Sequence, residues 1–142
     1  MPFINVKVAG PQLEKSQTVA LQKDITFLMA EVLRKQGPLT AVLVEQVPAA
    51  NWSIGSEPVT RAAQVDVFVS AGTNTPEEKA RFIAEAYALL RKVLGPDLPE
   101  VSYVMVHDVP MNSWGYGGRT QEFRAQQPKS HAGHIGRAGH IG

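Results

Sequence analysis

Residues 47–55 read Val-Pro-Ala-Ala-Asn-Trp-Ser-Ile-Gly, and residues 109–117 read Val-Pro-Met-Asn-Ser-Trp-Gly-Tyr-Gly. Val47, Pro48, Trp52 and Gly55 recur as Val109, Pro110, Trp114 and Gly117, each 62 positions later, and the chain holds no other tryptophan. Self-similarity at a fixed period means one supersecondary unit used twice, with each copy needing the other to bury its apolar face.

What precedes each copy repeats too. In residues 2–8, Ile4, Val6 and Val8 alternate with Asn5 and Lys7, and in 64–69, Val65, Val67 and Val69 alternate with Asp66 and Phe68. Both patterns predict a strand with one apolar face. Gly10-Pro11 and Gly72-Thr73-Asn74 then mark turns. Thr75-Pro76-Glu77-Glu78 predicts a helix start, with Thr75 as cap, Pro76 in the first helical position and Glu78 completing a capping box. Phe82, Ile83, Ala86, Leu89, Leu90 and Val93 follow at helical spacing as far as Gly95-Pro96. The first copy's helix is expected from about 13 to 36, turning Leu21, Ile25, Leu28, Met29 and Val32 inward and stopping at Gly37-Pro38. Segments 42–47 and 101–109 are rich in β-branched residues, as the strand closing each unit should be.

Each unit therefore reads β-α-β, with a helical crossover between parallel strands. The expected fold is α/β (α+β): two tandem units forming a four-stranded sheet of mostly parallel crossovers, with two helices on one face. Residues 1–60 form the first unit and 61–124 the second unit of the same domain. Residues 125–142 form a Gly/His-rich tail, in which Ala-Gly-His-Ile-Gly occurs twice, and which is expected to be flexible. The helix-free face is expected to carry Ile, Val and Leu, and to need cover from further copies of the chain.

Composition removes several classes of function. With 14 Lys and Arg against 13 Asp and Glu and no block of like charge, neither nucleic acid nor an anionic membrane is the expected partner. The chain has no cysteine, so disulfides, thiolate zinc sites and cysteine nucleophiles are excluded. No apolar run reaches the ~20 residues that cross a bilayer, and residues 1–7 lack the features of a signal peptide. The expectation is a cytoplasmic domain. His107 reads as a satisfied strand histidine and Glu45 as its repeat counterpart, with no spacing that dictates a metal site.

A chain that opens Met-Pro and continues as strand, helix, strand and an Asn-Trp-Ser-Ile-Gly hairpin resembles the tautomerase superfamily. The likeness is to 4-oxalocrotonate tautomerase in a fused, double-length form, and it covers about residues 2–120. The resemblance implies a cofactor-free isomerase that assembles as a homotrimer and acts on a small carboxylate or keto acid. It implies that removal of Met1 makes Pro2 a free secondary amine, and that this amine is the general base of keto–enol isomerisation. An α-amino group titrates near pH ~8, and an apolar pocket lowers that further, so a neutral base is available at neutral pH. Trp52 and Trp114 stand at the family's aromatic wall, with Trp114 the one expected to face Pro2.

The family's arginines, one after the first strand and one on the second, have no counterpart at Gly10-Pro11-Gln12, Gly72-Thr73-Asn74, Ala41 or Tyr103. Candidate substitutes for binding substrate are Tyr103, Arg61 and Arg119, with Arg61 taken to stand at the second copy's proline position. Two other outcomes belong to the same scaffold. One is a haloacrylate dehalogenase or hydratase, or a semialdehyde decarboxylase, in which a protonated Pro2 acts as acid. The other is an oligomer that has lost its site.

Overall fold

The computed structural model describes residues 2–127, so most of the Gly/His-rich tail lies outside the described residues. The first unit comprises β1 (Phe3–Ala9), α1 (Lys15–Glu31) and β2 (Ala41–Val47), followed by a hairpin of β3 (Ser53–Ile54) and β4 (Glu57–Pro58). The second comprises β5 (Ala62–Ser70), α2 (Pro76–Leu94) and β6 (Val104–Val109), followed by a hairpin of β7 (Gly115–Tyr116) and β8 (Arg119–Thr120) and the short α3 (Gln121–Ala125). Strands order as β2-β1-β5-β6. Each unit pairs its own strands in parallel, and the units join through antiparallel β1 and β5.

Register at this central seam aligns the two apolar stripes. Ile4 lies opposite Val67, Val6 opposite Val65 and Val8 opposite Ala63. These residues, with Val69, are fully buried against Leu21, Ile25, Met29 and Leu33 of the first unit and Phe82, Ala86 and Leu90 of the second. One core thus lies between the sheet and two helices that also pack on each other. Cores of this kind are close-packed, so register and helix face specify one another.

α2 begins with the expected reciprocal cap. The Glu78 amide donates to Thr75 Oγ1 at 3.1 Å, and the Thr75 amide donates to Glu78 Oε1 at 2.9 Å. α1 ends at Glu31 rather than near 36. The Lys35 amide donates back to Met29 O at 3.0 Å, with Arg34 in the left-handed region at φ 60°, which turns the chain off the helix axis. Arg34 then grips the Glu78 carboxylate at 2.8 Å and 3.3 Å and donates to Thr73 O, tying the end of one helix to the start of the other. β6 begins at Val104, three residues later than expected, although Tyr103 O still accepts the Val65 amide at 2.9 Å.

The helix-free face of the sheet is not the expected field of Ile, Val and Leu. Cross-strand pairing places Phe3, Asn5 and Lys7 beside Phe68, Asp66 and Gln64, with Leu43 and Glu45 on one flank and Met105 and His107 on the other. Asn5 Nδ2 donates to Glu45 Oε1 at 2.9 Å, and Lys7 Nζ donates to Asn5 Oδ1 at 2.5 Å. His107 Nε2 meets Asp66 Oδ1 at 2.7 Å while Gln64 donates to the other carboxylate oxygen. Burial works to raise the Asp66 carboxyl pKa, and those two hydrogen bonds together with the charges of His107 and Lys7 outweigh it, leaving the group below the usual range. The His107 ring stacks on Phe68, with centroids 4.5 Å apart. This face is a polar network framed by aromatic rings, and His107 is partnered by Asp66 rather than Glu45.

Candidate active site

Pro2 is buried where β1 starts, and its carbonyl accepts the Ala41 amide at 3.3 Å. Beside it opens a cleft of about 590 Å³ lined by Pro2, Phe3, Leu39, Ala41, Phe68, Trp114, Tyr116 and Gln121, with the Gly115 backbone. That is a volume for a small organic molecule. No lining side chain is charged. Trp114 and Pro2 line the same cleft, so the start of the second unit's β7–β8 hairpin lies across from the start of the first unit's first strand. Gly117 (φ 61°) and Gly118 (φ 79°) form the turn, and at Gly115 a Cβ would fall 1.9 Å from Arg119 O, so only glycine permits this pairing. The Gln121 amide then donates to Trp114 O at 2.9 Å and starts α3 beside the cleft.

The remaining candidate residues lie elsewhere. α1 and α2 begin at Lys15 and Pro76, and the buried stripe Ile4, Val6, Val8 corresponds to Val65, Val67, Val69, so Pro2 corresponds to Ala63. Arg61 therefore does not occupy the second copy's proline position but lies two residues before it. Its guanidinium donates to Pro11 O at 2.8 Å and to Ala9 O at 3.4 Å, which fastens the turn after β1, and burial lowers its pKa. Tyr103 and Trp52 are the repeat counterparts of Ala41 and Trp114 and belong with Ala63 at the opposite end of the seam. Ala63 pairs with Val8, six residues or about 20 Å along β1 from Pro2. Tyr103 is 64% exposed. Arg119 stacks over Phe123 at 4.6 Å and lines a shallow hollow of about 330 Å³ with Asn112 and Ser113, which shares Trp114 and Gly115 with the Pro2 cleft.

Sequence reasoning did not single out Phe68, Leu39, Tyr116 or Gln121. The parity of β5 placed Phe68 on the helix-free face, and that was the one available signal. It also passed over Lys35, the one buried charged residue among those described. Burial first, then the neighbouring Arg34, lowers the Lys35 amine to about 8. Its Nζ donates to Thr73 Oγ1 at 2.8 Å in the turn after β5. No group of three or more metal-ligating side chains occurs among the described residues, and no described helix is long and apolar enough to cross a membrane.

Comparison with known proteins agrees with the repeat. The family model described as "Tautomerase enzyme" matches twice, at residues 2–62 and 63–124. A probable tautomerase of Dickeya dadantii (strain 3937) is 33% identical over 64 residues, covering 45% of this chain and 96% of the relative. A probable tautomerase of Helicobacter pylori (strain 26695) is 34% identical over 68 residues, covering 45% of this chain and 97% of the relative. Both relatives thus have the length of one unit. Among solved structures, a fused 4-OT described as an asymmetric trimer superposes with a TM-score of 0.71 at 22% identity, covering 84% of this chain and 97% of that one. A protein inactivated by 2-oxo-3-pentynoate gives 0.75 at 15% identity over 85% and 98%. A member of the cis-3-chloroacrylic acid dehalogenase family gives 0.70 at 16% over 87% and 92%. These three share the fold.

Proposed function

The chain belongs to the tautomerase family, and on that premise we propose that Pro2, freed by removal of Met1, is the general base of a keto–enol isomerisation. The substrate class is a small enol or 2-oxo acid. The supporting observation is the placement of Pro2 inside an apolar cleft walled by Phe68 and Trp114. Such walls disfavour the charged ammonium and keep the amine neutral, ready to accept a proton. Pro2 takes the enol O–H proton and returns it to carbon as the carbonyl forms. Only a proton moves, so neither an oxidant nor a reductant is required.

The reverse role, with Pro2 as acid in hydration of a haloacrylate, needs a group that activates water. The cleft lining contains no carboxylate or histidine, which favours the base. For assembly we propose a homotrimer, as the fused 4-OT structures are described, with the helix-free face turned to neighbouring copies.

Intact mass of the purified protein, followed by ketonisation assays with the enol of phenylpyruvate and with 2-hydroxymuconate, tests this reading. Met1 is expected to be absent, and Pro2→Ala is expected to lower kcat on the order of 100-fold or more, the contribution of a positioned base. Retention of Met1, or equal turnover in the variant, would sink the base assignment.

A further inference from the structure

The two hairpins of the repeat differ in what they carry. Ile54 in β3 stands where β7 has Tyr116. The first hairpin leads straight into β5, whereas the second is followed by α3. From α3, Arg124 reaches back to the turn. Its Nη2 and Nε donate to Tyr116 O at 3.0 Å and 3.3 Å, and its guanidinium carbon lies 3.9 Å from the centre of the Tyr116 ring. A Cβ at Gly117 would meet this guanidinium at 2.7 Å, while the equivalent Gly55 has open space around it. The start of α3 is itself fastened: Thr120 Oγ1 accepts the Phe123 amide at 2.9 Å, and the Glu122 amide donates to Met111 O at 3.0 Å. Tyr116 thus has both its backbone and its ring held, and it lines the Pro2 cleft.

Three side chains of that lining can donate a hydrogen bond: Trp114, Tyr116 and Gln121. The Trp114 indole N–H is buried away from any ligand-sized opening. Gln121 is 4% exposed and already engaged. Tyr116 is 36% exposed, and among the described residues its phenol has no hydrogen-bond partner. We propose that the Tyr116 phenol donates to the enolate oxygen of the substrate and that Arg124 positions it, an assignment that rests on Pro2 as base. Charge appears on that oxygen when the enol O–H proton passes to the Pro2 nitrogen, and it disappears as the proton is delivered to carbon and the carbonyl forms. The phenol proton is shared throughout and never transferred. No lining side chain is charged, so no guanidinium or ammonium competes for the oxyanion. A donor fixed beforehand in an apolar cleft acts on a developing charge more strongly than one in water.

Tyr116→Phe keeps the ring under Arg124 and removes the O–H. With the enol of phenylpyruvate its kcat is expected to fall on the order of 100-fold with KM little changed. Arg124→Ala is expected to lower kcat about 10-fold by loosening the ring, and to lower it no further in the Tyr116→Phe protein, where no hydroxyl is left to aim. The second readout is the set of tyrosine Cζ resonances in ¹³C-labelled wild-type protein titrated with phenylpyruvate, assigned by means of the Tyr116→Phe protein. The Tyr116 resonance is expected to move, and that of Tyr87, whose hydroxyl donates to Leu98 O, to stay. Activity that needs Pro2 but is indifferent to Tyr116→Phe, or a Tyr116 resonance unmoved at saturating ligand, overturns the phenol assignment and leaves the base in place. Losses that multiply in the double variant overturn the role of Arg124. A wild-type protein that neither turns over nor binds phenylpyruvate or 2-hydroxymuconate overturns phenol and base together.

Discussion

Ala41 pairs with Phe3 in the lining of the Pro2 cleft and offers a substrate only a methyl group. By the family resemblance this is a position where a carboxylate-binding arginine stands. Each carboxylate that enters the cleft loses water with no cation in the lining to meet it, so a dicarboxylate is expected to bear that cost twice. The enol of phenylpyruvate, with one carboxylate and a ring suited to Phe3, Phe68 and Trp114, is expected to be ketonised in preference to 2-hydroxymuconate. Ala41→Arg is expected to raise kcat/KM for 2-hydroxymuconate about 10-fold or more, the value of a charged hydrogen bond, and competition assays would show whether the order inverts. The role of Ala41 was legible as an absence, because counting back from the tryptophans located it. Arg61 was not, because a guanidinium spent on backbone carbonyls looks in sequence like one free for substrate.

Single elements were legible where local rules act alone. The start of α2 follows from Thr75, Pro76 and Glu78, whose hydrogen bonds are made within one turn. The end of α1 was not, because the Arg34 conformation is held by Glu78 across the fold. That same contact makes Glu78 an acid-sensitive joint. The Arg34 hydrogen bond first, then the Thr75 amide and Asn74, draw its carboxyl down to about 2 from the ordinary 4.5. A carboxyl lowered on folding stabilises the protein above its unfolded pKa, and that contribution is lost as pH falls through the folded one. Thermal unfolding followed from pH 5 to pH 2 is expected to show Tm falling across the window from about 4.5 to about 2. Glu78→Gln should have a lower Tm at pH 6 and a flatter profile; a parallel profile would remove Glu78 as the cause.

Taken as a whole, the molecule keeps one face of its sheet dry under the helices and leaves the other partly open, with Phe3 and Leu43 among its exposed apolar residues. The repeat and its periodicity made the four strands, the helical cover and the central core legible. They did not reveal how polar the second face is, since Asn5, Lys7, Gln64 and Asp66 read equally well as solvated strand residues. If copies meet there as proposed, a charge at its apolar flank should separate them. Leu43→Glu points away from the core, so the fold is expected to survive while sedimentation equilibrium shifts from trimer to protomer. A trimer undisturbed by the change would place the interface on another surface.

The correspondence of Pro2 with Ala63 has a consequence for how this chain can evolve. A backbone nitrogen in mid-chain is an amide and has no basicity to offer, whatever residue stands there. Two units in one chain therefore leave only one of the two equivalent positions able to offer the amine base proposed for Pro2, whatever side chains surround the other. On the proposed role of Pro2, Tyr103, Trp52 and their surroundings are free of the demands of proton transfer that fall on their counterparts around Pro2. Substitutions should accumulate faster around the silent end of the seam, which makes it the natural ground on which such a protein acquires a second role.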